Sequence, residues 1–140
     1  MKKKGLIVIA LIFLAGAALF FSTPERRTAG YFYRHMEELE ENAARWQAGE
    51  PLSHDPRLTV NVWDGEHEIV EYIVVSRGLV PSGSYYGFFY SPDGVPVSFQ
   101  NSGEKLLRRS QYEWVWQGEG DNHGYVELLR PNWYYFEASL

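Results

Sequence analysis

Cysteine is absent from this 140-residue sequence, and that absence removes several classes of protein. No disulfide can staple the fold, no thiol can act as a nucleophile, and no lipid can be attached to a cysteine. Lysine is nearly as scarce, since Lys105 is the only one beyond Lys2, Lys3 and Lys4. Without those three, 10 basic residues face 18 acidic ones, a net charge of −8. Such a domain repels nucleic acid and anionic lipid headgroups, so no nucleic-acid partner is predicted.

Motifs for metals, phosphates and dinucleotides are also missing. The segment from His67 to Glu71 lacks the second histidine of a zinc-protease helix and alternates like a strand. The glycine-rich turn around His123 lacks the alternating acids and terminal glutamate of a calcium loop. Residues 78–84 have glycines but lack the lysine of a phosphate loop. The sequence therefore predicts no metal, no cofactor and no catalytic residue.

An apolar run, residues 5–21, follows the leading lysines and predicts a membrane helix. Its 17 residues span about 26 Å, against roughly 30 Å of hydrocarbon. A cleaved signal is the alternative, because Ala15 and Ala17 form a small-residue pair. Cleavage there would leave four apolar residues at the new terminus, so an uncleaved anchor is favoured. The lysines then stay cytoplasmic and the remaining chain lies outside.

Residues 22–50 are predicted as an amphipathic helix. It either continues the anchor as one rod bent at Pro24 or, as is favoured, is separated from the anchor by a break near residues 22–24. Thr23-Pro24-Glu25 supplies a capping hydroxyl, a first-turn proline and an acid beside the positive helix end. Apolar residues then recur at helical spacing, at Phe32, Met36, Leu39, Ala43 and Trp46.

The opposite side of this helix is charged. Arg34–Glu38 and Glu41–Arg45 are spaced as i,i+4 ion pairs. Gly30 lies within the helix and weakens it by about 1 kcal/mol.

Residues 51–140 are predicted as one antiparallel β domain, because the hydrophobic period changes from 3.6 to 2. Asp64-Gly65 and Pro92-Asp93-Gly94 predict hairpin turns. Residues 104–110 fit either a strand end or one helical turn. Hairpins between successive strands predict an α+β fold with a meandering sheet of about six to seven strands. Strands are predicted near residues 58–63, 67–76, 85–90, 95–99, 111–117, 125–130 and 133–138.

Four glutamates on predicted strands, Glu71, Glu113, Glu127 and Glu137, allow two interpretations. Two carboxyl groups about 5–9 Å apart in an aromatic cleft could hydrolyse glycosides. The favoured interpretation places them on the solvent face of the sheet, opposite arginines. The arginines concerned are Arg108, Arg109 and Arg130.

Aromatic residues make up 16% of the sequence and have two interpretations as well. Core packing is the commoner role of such side chains. The alternative is an exposed patch on which sugar rings stack, which suits a domain facing the cell envelope. The candidate binding residues are Trp63, Trp114, Trp116 and Trp133.

In outline, residues 1–47 resemble a type IV pilin or minor pseudopilin, with lysines, Gly5, an apolar helix and a polar extension. The resemblance implies cleavage after Gly5 and a pilus-assembly role. Ala10 stands where that family has a glutamate, and Leu6 stands where it has an aromatic residue.

Taken together, these patterns predict a membrane-anchored extracytoplasmic domain with a non-catalytic binding or structural role. Its expected partners are the membrane, through residues 5–21, and an envelope glycan or protein. Secretion after signal cleavage is the alternative localisation. An envelope hydrolase and a minor pilin-like subunit are the alternative functions.

Overall fold

The computed structural model describes residues 2–21, 23–79 and 82–140. Two helices, α1 (Lys2–Phe21) and α2 (Pro24–Gln47), precede the sheet, with a 72° bend between them. The predicted break near residues 22–24 lies partly outside the described residues, because residue 22 is not described; α1 ends at Phe21 and α2 begins at Pro24. The Thr23 hydroxyl accepts a hydrogen bond from the Arg26 amide at 3.4 Å, and Pro24 begins α2.

From residue 5 to residue 19, α1 carries apolar side chains on all sides and is exposed. Leu11 is 60% exposed and Phe13 is 76% exposed, and a spacing of two residues places them on opposite sides of the helix. Among the described residues, no single helix has both the length and the apolar character to cross a bilayer. Taken together across their bend, α1 and α2 meet both requirements.

The second helix lies on the sheet through the predicted stripe. Phe32, Leu39 and Ala43 are buried, and Met36 and Trp46 are partly buried. The amphipathic-helix prediction is therefore confirmed. After Gln47 the chain turns at Gly49, whose positive φ of 87° is readily available only to glycine.

Neither predicted ion pair of α2 forms. Arg45 instead binds Glu50 at 2.6 Å, because the turn after the helix folds Glu50 back over it. The Arg34 guanidinium lies beside Gly30, one turn back, as expected from the tilt of helical side chains toward the N-terminus. Glu38 lies 3.5 Å from His35.

Seven strands form one antiparallel sheet in the order β1-β2-β3-β7-β6-β5-β4. The α+β class is thereby confirmed. The first three strands form one meander and the last four form another, and the two meanders meet where β3 pairs with β7. The strands are β1 (Thr59–Trp63), β2 (Ile69–Leu79), β3 (Ser82–Tyr90), β4 (Leu107–Arg108), β5 (Glu113–Gln117), β6 (His123–Arg130) and β7 (Trp133–Ser139).

The predicted single meander is thus wrong at one point, the strand expected at residues 95–99. The turn before it forms, with the Gly94 amide donating to the Ser91 carbonyl at 3.0 Å. Residues 95–98 then leave the sheet, because Pro96 has no amide to donate to a ladder. The edge of β3 that this strand would have used pairs with β7 instead, through seven residue pairs.

The sheet has two covered faces. We call the one under α2 the helix face; its core contains Val70, Tyr72, Phe88 and Trp133. We call the other the loop face; residues 91–106, with the short 3-10 turn Phe99–Asn101, cross it. Its core contains Ile69, Phe89, Val97, Phe99, Trp116, Val126, Tyr134, Phe136 and Ala138.

Candidate functional site

The four predicted binding tryptophans lie on different faces and at different depths. Trp133 is 1% exposed on the helix face, where its ring packs 5.5 Å from that of Phe32. Trp116 is 4% exposed on the loop face. It lies against Gly124, where a β-carbon would collide with the indole. Trp63 and Trp114 belong to the loop face and are only partly buried. The structure therefore leaves these two accessible and places the other two in the core.

Trp114 lines a cavity of about 380 Å³ on the loop face. Its walls come from the β1–β2 connection, the 3-10 segment and the β4–β5 edge. Leu106 and Val97 supply apolar surface beside the indole, whose other side packs against Tyr134 at 6.0 Å between ring centres. The remaining wall is polar and includes His67, Ser98, Asn101, Glu104 and Arg108.

Glu71, on β2, holds the 3-10 segment against the sheet. Its side chain is 1% exposed, which contradicts the solvent-face position expected for the strand glutamates. One carboxylate oxygen accepts the Trp63 indole N–H at 3.1 Å, and the other accepts the Gln100 amide at 2.9 Å. Gln100 and Asn101 have φ of 54° and 51°, conformations that non-glycine residues seldom adopt. The carboxylate therefore holds the chain in a strained turn at the mouth of the cavity.

Burial raises the pKa of Glu71, because a charged carboxylate loses water in the core. Hydrogen bonds from the Gln100 amide, the Trp63 indole and Asn61 oppose that rise. The group thus acts as a buried acceptor for the loop, with its ionisation disfavoured by its surroundings.

Further contacts set the polar wall. The side-chain amide of Asn101 donates to the His67 backbone carbonyl at 2.9 Å, and the His67 ring lies 3.0 Å from the Asp93 carboxylate. The Ser98 hydroxyl accepts the Glu104 amide at 3.2 Å. These bonds join the β1–β2 connection to residues 98–104, so the cavity has a defined shape before any ligand enters.

Arg108 belongs to the short edge strand β4. Its guanidinium donates to the carbonyls of Ser110 and Gln111 at 3.0 and 3.2 Å. The same turn carries Glu113, whose carboxylate accepts the Ser110 hydroxyl at 2.7 Å. The β4–β5 edge that presents Trp114 is therefore braced at its base.

The other strand glutamates lie on the helix face. Glu113 and Glu127 are cross-strand neighbours, and the Tyr125 hydroxyl lies 2.7 and 3.0 Å from their carboxylates. Glu137 accepts the Tyr135 hydroxyl at 2.8 Å. The expected pairing with strand arginines is absent among the described residues: Arg130 instead binds Glu40 of α2 at 3.1 Å.

A glycosidase pair needs a carboxyl group of raised pKa close to an ionised one, on the same face of the sheet. The Tyr125 hydrogen bond, followed by that from Ser110, lowers the pKa of Glu113. The carboxyl group with a raised pKa, Glu71, lies on the other side of the sheet. The described residues also contain no group of three histidine or acidic side chains arranged to hold a metal ion.

No protein-family model, curated protein or solved structure matches this chain. The role of the cavity therefore has to be inferred from its own residues. Sequence patterns identified Trp114 but missed His67, Asn101, Glu104 and Arg108. The available signals were Pro96 within a predicted strand and Asn101, a residue type that tolerates positive φ.

Proposed function

We propose that this chain is a membrane-anchored extracytoplasmic binding module. Residues 5–21 cross the membrane once, residues 2–4 stay cytoplasmic, and the sheet domain lies outside. Support comes from the exposure of α1, since Leu11 is 60% exposed and Leu14 67% exposed. An apolar helix without protein cover needs a lipid environment. Because α2 buries its apolar stripe on the sheet, α1 supplies the apolar surface of the anchor, and thinning of the bilayer around it offsets its short length.

The loop-face cavity is the proposed binding site, and its proposed ligand is a neutral envelope glycan. The observation that carries this proposal is the partly exposed Trp114 ring beside a wall of hydrogen-bonding groups. A flat aromatic surface suits the C–H face of a sugar ring, and amide, hydroxyl and carboxylate groups suit its hydroxyls. The mixed charge of Glu104 and Arg108 favours a polar but uncharged ligand.

Titration calorimetry with a soluble N-acetylglucosamine oligomer tests the proposed site. The full chain in detergent should bind, and Trp114→Ala should weaken binding about tenfold, equivalent to ~1.4 kcal/mol. Tyr112→Ala is the matched control, because Tyr112 is 52% exposed near Trp114 and outside the cavity. Equal affinity of the two variants would overturn the assignment of Trp114.

Membrane orientation can be tested separately, because the chain lacks cysteine. Ser53→Cys, at an exposed position of the domain, should react with a membrane-impermeant maleimide in intact cells. Labelling only after lysis would refute the topology. The charges alone do not decide the orientation, because Arg26 and Arg27 follow the apolar run and oppose the effect of the lysines that precede it. The labelling result therefore tests the topology directly.

The two alternative functions have less support. Hydrolysis would need an acid and a nucleophile on one face. Glu113 and Glu127 share the helix face, but the Tyr125 hydroxyl lies within hydrogen-bond distance of both. Glu71, whose pKa is raised, lies on the opposite face. A pilin-like subunit would be cut after Gly5, which the mass of the mature chain would reveal. The 72° bend between α1 and α2 also departs from a single continuous rod.

A further inference from the structure

One end of the sheet carries an unusually exposed hydrophobic side chain. Leu79, at the end of β2, is 87% exposed, more than any other large hydrophobic residue described. The adjoining strand β3 begins at Ser82, so Leu79 lies at the tip of a long hairpin. A lone exposed leucine is ordinary, and its position in the domain decides whether it has a role.

This tip lies at the end of the domain where α2 begins. Val74 of β2 lines one cavity together with Arg26 and Arg27 of the first turn of α2, and Leu79 lies five residues beyond Val74 on the same strand. Tyr86 pairs with Val75 near the tip. Since α1 ends at Phe21 and α2 begins at Pro24, the hairpin tip and the outer end of α1 belong to the same side of the domain.

Arginines are concentrated at this end. Arg26, Arg27 and Arg34 line a cavity of about 650 Å³ along the first turns of α2, together with Tyr31 and Val74. Within the described residues, no salt bridge involves Arg27, Arg34 or Arg77. Elsewhere in the domain Arg45, Arg57 and Arg130 have acidic partners, whereas Arg108 and Arg109 take part in no salt bridge within the described residues.

The basic cluster is notable in a domain whose net charge is −8. Glu25 belongs to the same first turn of α2 as Arg26 and Arg27, and Glu137 pairs with Tyr86 across the neighbouring strands. A guanidinium group presents a planar fork of donors that matches phosphate oxygens. Cationic side chains beside a membrane helix are attracted to anionic headgroups.

We propose that this end docks on the bilayer that α1 enters, with Leu79 inserted among the lipids and Arg26, Arg27, Arg34 and Arg77 on anionic lipid phosphates. We call these five residues the docking end. The inference rests on the proposed anchoring by α1. It adds that the domain is held against the membrane rather than tethered loosely above it. The overall acidic charge then repels lipid everywhere except at the docking end.

Site-specific fluorescence on the full chain tests the docking end. Leu79→Cys and Asp64→Cys are each labelled with an environment-sensitive dye and reconstituted into vesicles of phosphatidylglycerol and phosphatidylcholine. Asp64 lies in the β1–β2 connection, at the opposite end of the sheet. Nitroxide-labelled lipid should quench the dye at position 79 about twofold more than the dye at position 64.

A charge-matched pair of variants identifies the arginine contribution. Arg27→Gln with Arg77→Gln should reduce quenching at position 79, whereas Arg45→Gln with Arg109→Gln should leave it unchanged. Equal quenching at positions 79 and 64, in vesicles from which alkaline carbonate does not extract the chain, overturns the docking while anchoring stands. Extraction of the chain by carbonate instead refutes the anchoring itself.

Discussion

Replacing Glu71 by glutamine perturbs the buried acceptor that shapes the proposed binding cavity. The carboxylate accepts one hydrogen bond from Trp63 and one from Gln100, at 3.1 and 2.9 Å. Glutamine has one acceptor oxygen, and its amide group opposes the second donor. A buried donor left without an acceptor costs about 1–3 kcal/mol, whereas both oxygens of Glu71 keep acceptor capacity even when the group is protonated. We expect Glu71→Gln to lower the free energy of unfolding by about 1–2 kcal/mol.

Urea denaturation of the full chain in detergent, followed by tryptophan fluorescence, measures this loss. With a slope of about 1–3 kcal/mol per molar urea, the midpoint should fall by roughly 0.5–1 M. Glu68→Gln is the control, because Glu68 is exposed and precedes β2 by one residue. Amide hydrogen exchange gives a local readout, since the Gln100 amide loses its acceptor and should exchange faster.

The effect should depend on pH in a defined direction. Burial raises the pKa of Glu71, so the folded state binds this proton more tightly than the unfolded chain does. The resulting stability is complete below the ordinary glutamate pKa of about 4.3 and is lost as pH rises through the raised value. Glutamine does not titrate, so the wild-type advantage should be larger near pH 4 than at about pH 8. Identical midpoints for Glu71→Gln and Glu68→Gln at both pH values would refute the role of Glu71.

Three further substitutions each test one local contact. Gly87→Ala should lower the free energy of unfolding by about 2–3 kcal/mol in urea denaturation, because its β-carbon would collide with the Tyr72 carbonyl of the neighbouring strand; an unchanged midpoint contradicts this. Gly30→Ala should raise the melting temperature, with a gain of about 0.5–1 kcal/mol, since its φ is helical and only the flexible Arg34 side chain lies nearby. Tyr125→Phe should raise the pKa of Glu113, measured by carbon-detected NMR titration, because it removes the main hydrogen bond that lowers this pKa. An unshifted Glu113 titration would show that Ser110 suffices.

Sequence periodicity was sufficient for both helices and for six of the seven predicted strands. It failed at residues 95–99 for a physical reason. Val97 and Phe99 are 8% and 4% exposed, and Ser98 between them is 3% exposed, so the segment is buried on both sides although its apolar residues alternate in the sequence. They reach this burial by packing across the loop face, without strand pairing. Alternation of apolar residues therefore does not establish strand pairing, because the partner of a segment depends on competition with the rest of the chain.

The candidate site was harder to predict because both faces of the sheet are covered. Alternation placed Trp114 and Trp116 on the same side correctly, yet Trp116 lies deep in the core and Trp114 lines the cavity. The difference arises from where residues 91–106 cross the sheet. The burial of Glu71 was equally hard to predict, because a glutamate on a strand is ordinarily solvated. Its burial depends on hydrogen-bond donors 8 and 29 residues away in the sequence.

The two proposals together fix the height of the binding cavity above the membrane. Strand β2 connects the two ends: Ile69 lies beside the β1–β2 connection that walls the cavity, and Leu79 lies at the docking end. Its 11 residues span about 33 Å at ~3.3 Å per step. A domain held at the docking end therefore presents the cavity roughly 30 Å outward, beyond the lipid headgroups. Energy transfer from a dye at Asp64→Cys to an acceptor in the bilayer surface should report that separation. Transfer as efficient as from Leu79→Cys would mean that the sheet lies flat on the membrane, which would bring the cavity to the lipid surface and contradict outward presentation.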